Sequence, residues 1–95
     1  MKSNRRHLRM KEDFRVHWIL EESLLGGQGV ALDMSVSGMQ IITDQYFVPK
    51  EGCVMFVESM GDQTFLPKPR KCKITWFKKI NQKGVDCLHC GLEFI

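Results

Sequence analysis

Along the first third of the chain, Phe14, Val16, Trp18 and Leu20 alternate with mostly polar neighbours. That is the period-two pattern of a strand with one buried face. The Gly26-Gly27-Gln28-Gly29 stretch interrupts the pattern and reads as a turn. Alternation resumes at Val30, Leu32 and Met34, Gly38 marks another turn, and the next strand covers Met39 to Thr43. Pro49 and Gly52 bracket a connection into the apolar run Cys53–Val57, and Gly61-Asp62 predicts a hairpin-like turn before a short strand near Thr64–Leu66. The Pro67-Lys68-Pro69 segment is excluded from any central strand, because proline has no N–H for the ladder. Cys72, Ile74 and Trp76 then share one face of a sixth strand. Asn81–Gly84 is a polar turn, and Leu88, Cys90, Leu92 and Phe94 line one face of a seventh. No helical periodicity competes with this pattern. The expected fold is all-β, a small antiparallel barrel of six to seven strands, whose closure leaves no exposed edge.

Composition narrows the class. Ninety-five residues suffice for one domain. A chain that is 43% hydrophobic is too apolar to be disordered. The run Cys53–Val57 is far shorter than the roughly 20 residues of a membrane-spanning helix, so membrane insertion is not expected. The basic N-terminus has no apolar stretch behind it and is not expected to act as a secretory signal. The four cysteines are therefore expected as reduced thiols in a cytoplasm.

Charge adds a feature that the net value of +3 conceals. Residues 1–15 carry six cations against two carboxylates, residues 16–67 carry Lys50 against seven carboxylates, and residues 68–79 carry six cations and no acid. Two basic blocks flank an acidic body, which points to an anion gripped at particular places. Residues 1–12 lack apolar periodicity and are expected to form a flexible basic arm ahead of a barrel over 13–95.

Several chemistries fail on spacing. Cys87 and Cys90 form a CxxC, but on a strand they point to opposite faces, and there is no second CxxC to complete a zinc site. Cys90 belongs with Leu88 and Leu92 in the core. His7, His17 and His89 are scattered, and no nucleophile–base arrangement is visible, so no enzymatic activity is expected. The glycine stretch lacks the GK[ST] tail and following helix of a phosphate loop.

Two features remain. Arg5-Arg6-His7-Leu8-Arg9 concentrates three guanidinium groups, which fork onto phosphate or guanine edges and hold their charge. Taken alone it is equally a solvated tail. In Asp33-Met34-Ser35-Val36-Ser37-Gly38, Asp33 and Ser35 are two apart and share the outward face, with Leu32 and Met34 pointing in. A carboxylate accepts from guanine N1–H and N2–H, and a hydroxyl serves a ribose or phosphate oxygen. Gly38 supplies either a positive φ or room for close ligand approach. The plain alternative is an Asp–Ser turn between strands.

Together, in this order and separation, these features resemble the PilZ domain, a family marked by RxxxR and, some twenty-five or thirty residues later, [DN]xSxxG. Arg5 and Arg9 match the first motif, and Asp33, Ser35 and Gly38 the second. Lys73-Ile74-Thr75-Trp76 is similar to the family's late strand, and Cys90-Gly91-Leu92-Glu93-Phe94 to its closing strand. The resemblance implies a six-stranded barrel that binds the bacterial second messenger cyclic di-GMP, with Arg5, Arg6 and Arg9 reaching from the arm to meet Asp33, Ser35 and Gly38. Ser37 is a further candidate. Trp76 is another, since some members carry a tryptophan near the ligand on the matching strand; strict alternation instead sends Trp76 to the core with Cys72 and Ile74. Asn4 stands where an arginine tends to accompany a stacked ligand pair, which favours one ligand per domain unless Arg6 takes that arginine's place. The implied setting is a bacterial cytoplasm, with no cofactor or metal. The implied partner is a protein of the motility, exopolysaccharide or gene-regulatory machinery. The alternatives are a barrel binding single-stranded nucleic acid, which the acidic middle disfavours, and a ligand-free interaction module.

Overall fold

The computed structural model describes residues 14–61 and 68–95. Among these there are six strands and no helix: β1 (Phe14–Leu20), β2 (Gly26–Met34), β3 (Gly38–Thr43), β4 (Val54–Ser59), β5 (Arg70–Gln82) and β6 (Val85–Phe94). They close into an antiparallel barrel in the order β1-β2-β3-β6-β5-β4, with β4 pairing back onto β1. The expected strand near Thr64–Leu66 and the arm over 1–12 lie outside the described residues.

The interior follows the alternation on most strands. Val16, Trp18 and Leu20 point in from β1, Met39 and Ile41 from β3, Met55 and Val57 from β4, and Leu88, Cys90 and Leu92 from β6. Trp18 is 2% exposed, stacks on Phe47 at 5.2 Å between ring centroids, and donates its indole N–H to Gln28 O at 2.8 Å. A buried tryptophan of this kind contributes most of its apolar surface to the core while leaving no polar atom unsatisfied. Burial pushes the thiols of Cys72 and Cys90 up to about 11 and about 12, so both stay protonated and act as small apolar side chains.

The glycine stretch is not a turn. Gly26 to Gly29 form the first half of β2, and the reversal is made by 21–25, with Leu24 at φ 61° and Leu20 N–H donating to Leu25 O at 2.7 Å. The glycines answer a crowding requirement. A Cβ on Gly26 would press on the carbonyl of Trp18, and one on Gly29 on the carbonyl of Ile42. Local turn chemistry and close strand approach demand the same residue, and here the second applies.

Two β-bulges break the regular ladder. On β2, Ala31 pairs with Ile41 and Asp33 with Gln40, so Leu32 is an extra residue. On β5, Ile74 pairs with Leu92 and Trp76 with Gly91, so Thr75 is extra. Each bulge reverses the facing of the residues after it. The expectation that Val30, Leu32 and Met34 share the inward face is therefore corrected. Ala31 is the fully buried residue, Val30 and Leu32 line an outer-wall cleft with Ile42, and Met34 packs against the core only because the bulge precedes it. The hairpin β5–β6 closes through Lys83-Gly84, both at positive φ (54° and 86°), the backbone of a tight two-residue hairpin turn.

Candidate ligand-binding cleft

On the outer wall, where β2, β3, β6 and β5 lie side by side, a cleft of about 400 Å³ opens. This is within the roughly 300–1,000 Å³ that small-molecule sites occupy. β2 and the following turn supply Asp33, Ser35 and Ser37, β3 supplies Gly38 and Gln40, β5 supplies Thr75 and Trp76, and β6 supplies Gly91 and Glu93. The two bulges build it. Without them, Asp33 would follow Ala31 inward and Trp76 would follow Ile74. The extra residues at Leu32 and Thr75 turn both out onto the same wall.

Asp33, Ser35, Ser37, Gly38 and Trp76 thus share one cleft. Trp76 is 43% exposed, which overturns the alternation-based expectation that it belongs to the core. Gly38 does not adopt a positive φ. A Cβ there would collide with the carbonyl of Leu92 on β6, so the glycine is required by strand packing at the cleft rim. Arg5, Arg6 and Arg9 lie outside the described residues.

The β2–β3 connection is tied by Ser35. Its N–H donates to Gly38 O at 2.8 Å, its hydroxyl lies 3.3 Å from that of Ser37, and Ser37 N–H donates to Ser35 Oγ at 3.4 Å. Phe94 N–H donates to Ser37 O at 2.9 Å and anchors the turn to β6. Ser35 is therefore both a turn residue and a hydroxyl on the cleft.

The opposite side is built around the indole of Trp76, which lies over Gly91 so closely that any side chain at 91 would overlap it. Thr75 Oγ1 donates to Gly91 O at 3.2 Å and pins the bulge. His89 meets Trp76 edge-on, 5.0 Å between centroids at 73°, and its Nε2 lies 3.0 Å from Gln40 Oε1. An amide oxygen only accepts, so Nε2 carries the proton. Burial, with a smaller contribution from Lys78, holds His89 below the ordinary histidine range, so the ring is neutral at pH 7.

Gln40, Thr75, Gly91, Glu93 and His89 were not legible as site residues. Thr75, Gly91 and Glu93 fall in segments that resemble the family's later strands but were not singled out there. Gln40 and His89 belong to neither segment, and only the register brings the five together. A glycine inside an otherwise apolar strand, as at Gly91, was the one available sign of a close approach. Cys87 and Cys90 do face opposite ways, Cys90 into the core and Cys87 onto another outer-wall cleft. Among the described residues no cluster of His, Cys, Asp or Glu is arranged to hold a metal, and no helix is long and apolar enough to cross a membrane.

Neither a protein-family model nor a curated protein sequence matches the chain. A solved structure does: the PilZ domain with c-di-GMP of YcgR from Escherichia coli, at a TM-score of 0.66 and 13% identity, over 98% of this chain and 79% of that one. The fold is that of a PilZ domain. At so low an identity the PilZ likeness rests on the path of the strands, and the chemistry of the cleft has to be argued from this chain's own side chains.

Proposed function

We propose that this PilZ barrel is a cyclic di-GMP receptor whose N-terminal arm closes over the cleft, and that the closed form signals to a protein partner. The observation that carries the reading is the convergence, on one outer cleft, of the Asp33 carboxylate, the Ser35 and Ser37 hydroxyls and the exposed Trp76 indole, drawn from two strands and a turn. In this reading Asp33 accepts from the guanine edge, Ser35 and Ser37 meet ribose or phosphate oxygens, and Trp76 stacks on a base.

Electrostatics supports the arm. Among the described residues, the cleft lining contains Asp33 and Glu93 and no lysine or arginine. A ligand with two phosphates needs cations that this wall does not supply, and Arg5, Arg6 and Arg9 bring them from the arm. Each charge-assisted arginine contact is worth about 1.5–3 kcal/mol. Ordering the arm costs about 1–2 kcal/mol per fixed residue, so several contacts are needed and closure is reversible. Residues 1–12 as a closing arm, and the remodelled surface as the signal, belong to this proposal.

The nucleic-acid alternative requires aromatic residues in a continuous track. Trp76 and Phe77 are both exposed, but they are adjacent residues at one place on β5 and do not form a track, and part of the basic block is engaged elsewhere. Arg70 lies over the Phe94 ring at 4.1 Å, and Lys79 pairs with Asp86 at 3.4 Å.

Calorimetric titration with cyclic di-GMP tests the reading. Arg5→Ala or Arg9→Ala is expected to remove most of the binding with thermal stability nearly unchanged. Undiminished affinity in either variant rejects the clamp. Asp33→Ala is expected to weaken discrimination between cyclic di-GMP and cyclic di-AMP in a competition titration.

A further inference from the structure

The exposed indole of Trp76 poses a physical problem. A side chain on an outer wall ordinarily samples several rotamers, and a stacking platform that must be ordered by its ligand gives back part of the binding energy. Here the indole is confined on two sides before any ligand arrives. Gly91 leaves the space beneath it, and the His89 ring abuts it edge-on at 5.0 Å. His89 is in turn fixed by the hydrogen bond from its Nε2 to Gln40 Oε1 at 3.0 Å. Gln40 is itself anchored in the ladder, paired with Asp33 on one side and Gly91 on the other. The chain Gln40–His89–Trp76 therefore crosses three adjacent strands and links the acid side of the cleft to its aromatic side.

We propose that His89, held by Gln40, is a positioning residue that presets the Trp76 indole as a wall of the ligand cleft. This rests on the cyclic di-GMP reading above for its ligand, although the presetting itself is a property of the free protein. Around His89, β3 presents the uncharged Gln40 and Ile42, β5 presents Lys78 and Trp76, and β6 presents Cys87 and Gly91. No carboxylate is in register with His89.

The test has two arms. In the ligand-free protein, the indole N–H resonances of Trp18 and Trp76 are followed by nuclear magnetic resonance in wild type, His89→Ala and Gln40→Leu. The Trp76 signal is expected to move toward the position of a freely rotating indole in both variants, more in the first, while the Trp18 signal stays in place. An unmoved Trp76 signal in His89→Ala overturns the proposal.

In the second arm, cyclic di-GMP affinity is measured in a double-mutant cycle with Trp76→Ala. His89→Ala is expected to weaken binding about three- to tenfold when Trp76 is present, as expected for ordering one side chain, and to cost nothing further when Trp76 is absent. His89→Phe keeps the edge-to-face contact and is expected to recover most of the loss. Equal losses in both backgrounds show that His89 acts independently of the indole and overturn the inference. If wild type binds no cyclic di-GMP, the functional reading fails, and the ligand-free resonances still decide whether His89 positions Trp76.

Discussion

Trp18 and Trp76 stand in strands whose sequences look alike, each on the inward phase of an alternating run, and they end on opposite sides of the barrel wall. On β1 the ladders to β2 and β4 run without interruption, and Trp18 is 2% exposed in the core. On β5 one extra residue, Thr75, shifts the phase, and Trp76 is 43% exposed on the outer cleft. The same side chain thus packs the core in one place and lines an open cleft in the other. The difference is a single unpaired residue, and a bulge is the least disruptive means of turning a core position outward without breaking the strand.

The largest effect separates the two tryptophans by stability. Trp18→Ala removes a fully packed ring and is expected to cost about 3–5 kcal/mol in urea denaturation, enough to unfold much of a domain this small. Trp76→Ala gives up little beyond its edge contact with His89 and is expected to cost about 1 kcal/mol or less. Comparable losses in the two variants would contradict the division into a packing wall and a recognition wall.

In binding the order reverses. Stacking of a base on an aromatic ring is worth about 1–3 kcal/mol by alanine substitution, so Trp76→Ala is expected to weaken cyclic di-GMP at least about fivefold. Gly91→Ala tests the same platform from below. The added methyl overlaps the indole and must displace it, so a somewhat smaller loss of affinity is expected without removal of any ligand-contacting atom. An alanine at 91 with wild-type affinity would mean that the indole's resting place over Gly91 is not the one that binds.

This contrast also explains what was legible in the chain. Val16, Trp18 and Leu20, and again Leu88, Cys90 and Leu92, could be placed by period two because their ladders impose that period. Asp33 and Ser35 do face outward, though the residue fully buried upstream of them is Ala31, and counting by twos from it sends Asp33 inward. Counting by twos from Ile74 misplaced Trp76 for the same reason. A bulge is a property of two paired strands, and nothing in either strand alone announces it. The glycines of 26–29 were misread because their requirement comes from the carbonyls of neighbouring strands, which are distant in sequence. Gln40 and His89, 49 positions apart, carry no motif and meet only through register.

The smallest effect is on pH dependence, and it sharpens the same comparison because His89 is the support of the recognition wall. In the unfolded chain a histidine takes up its proton near pH 6.5. In the folded barrel burial, aided by Lys78, holds His89 below that value. Between the two the unfolded state binds more protons, so stability is fully present above about pH 6.5 and declines as pH falls through the folded value. Asp86, held below its ordinary value by the Asn81 hydrogen bond and by Lys79, declines in the same direction, but in a separate window at lower pH. Urea midpoints of wild type and His89→Phe, compared at pH 7.5 and 5.5, isolate the histidine contribution. Wild type is expected to lose more stability on acidification than the phenylalanine variant. Parallel changes would mean that the ring at 89 is protonated as readily in the barrel as in the unfolded chain.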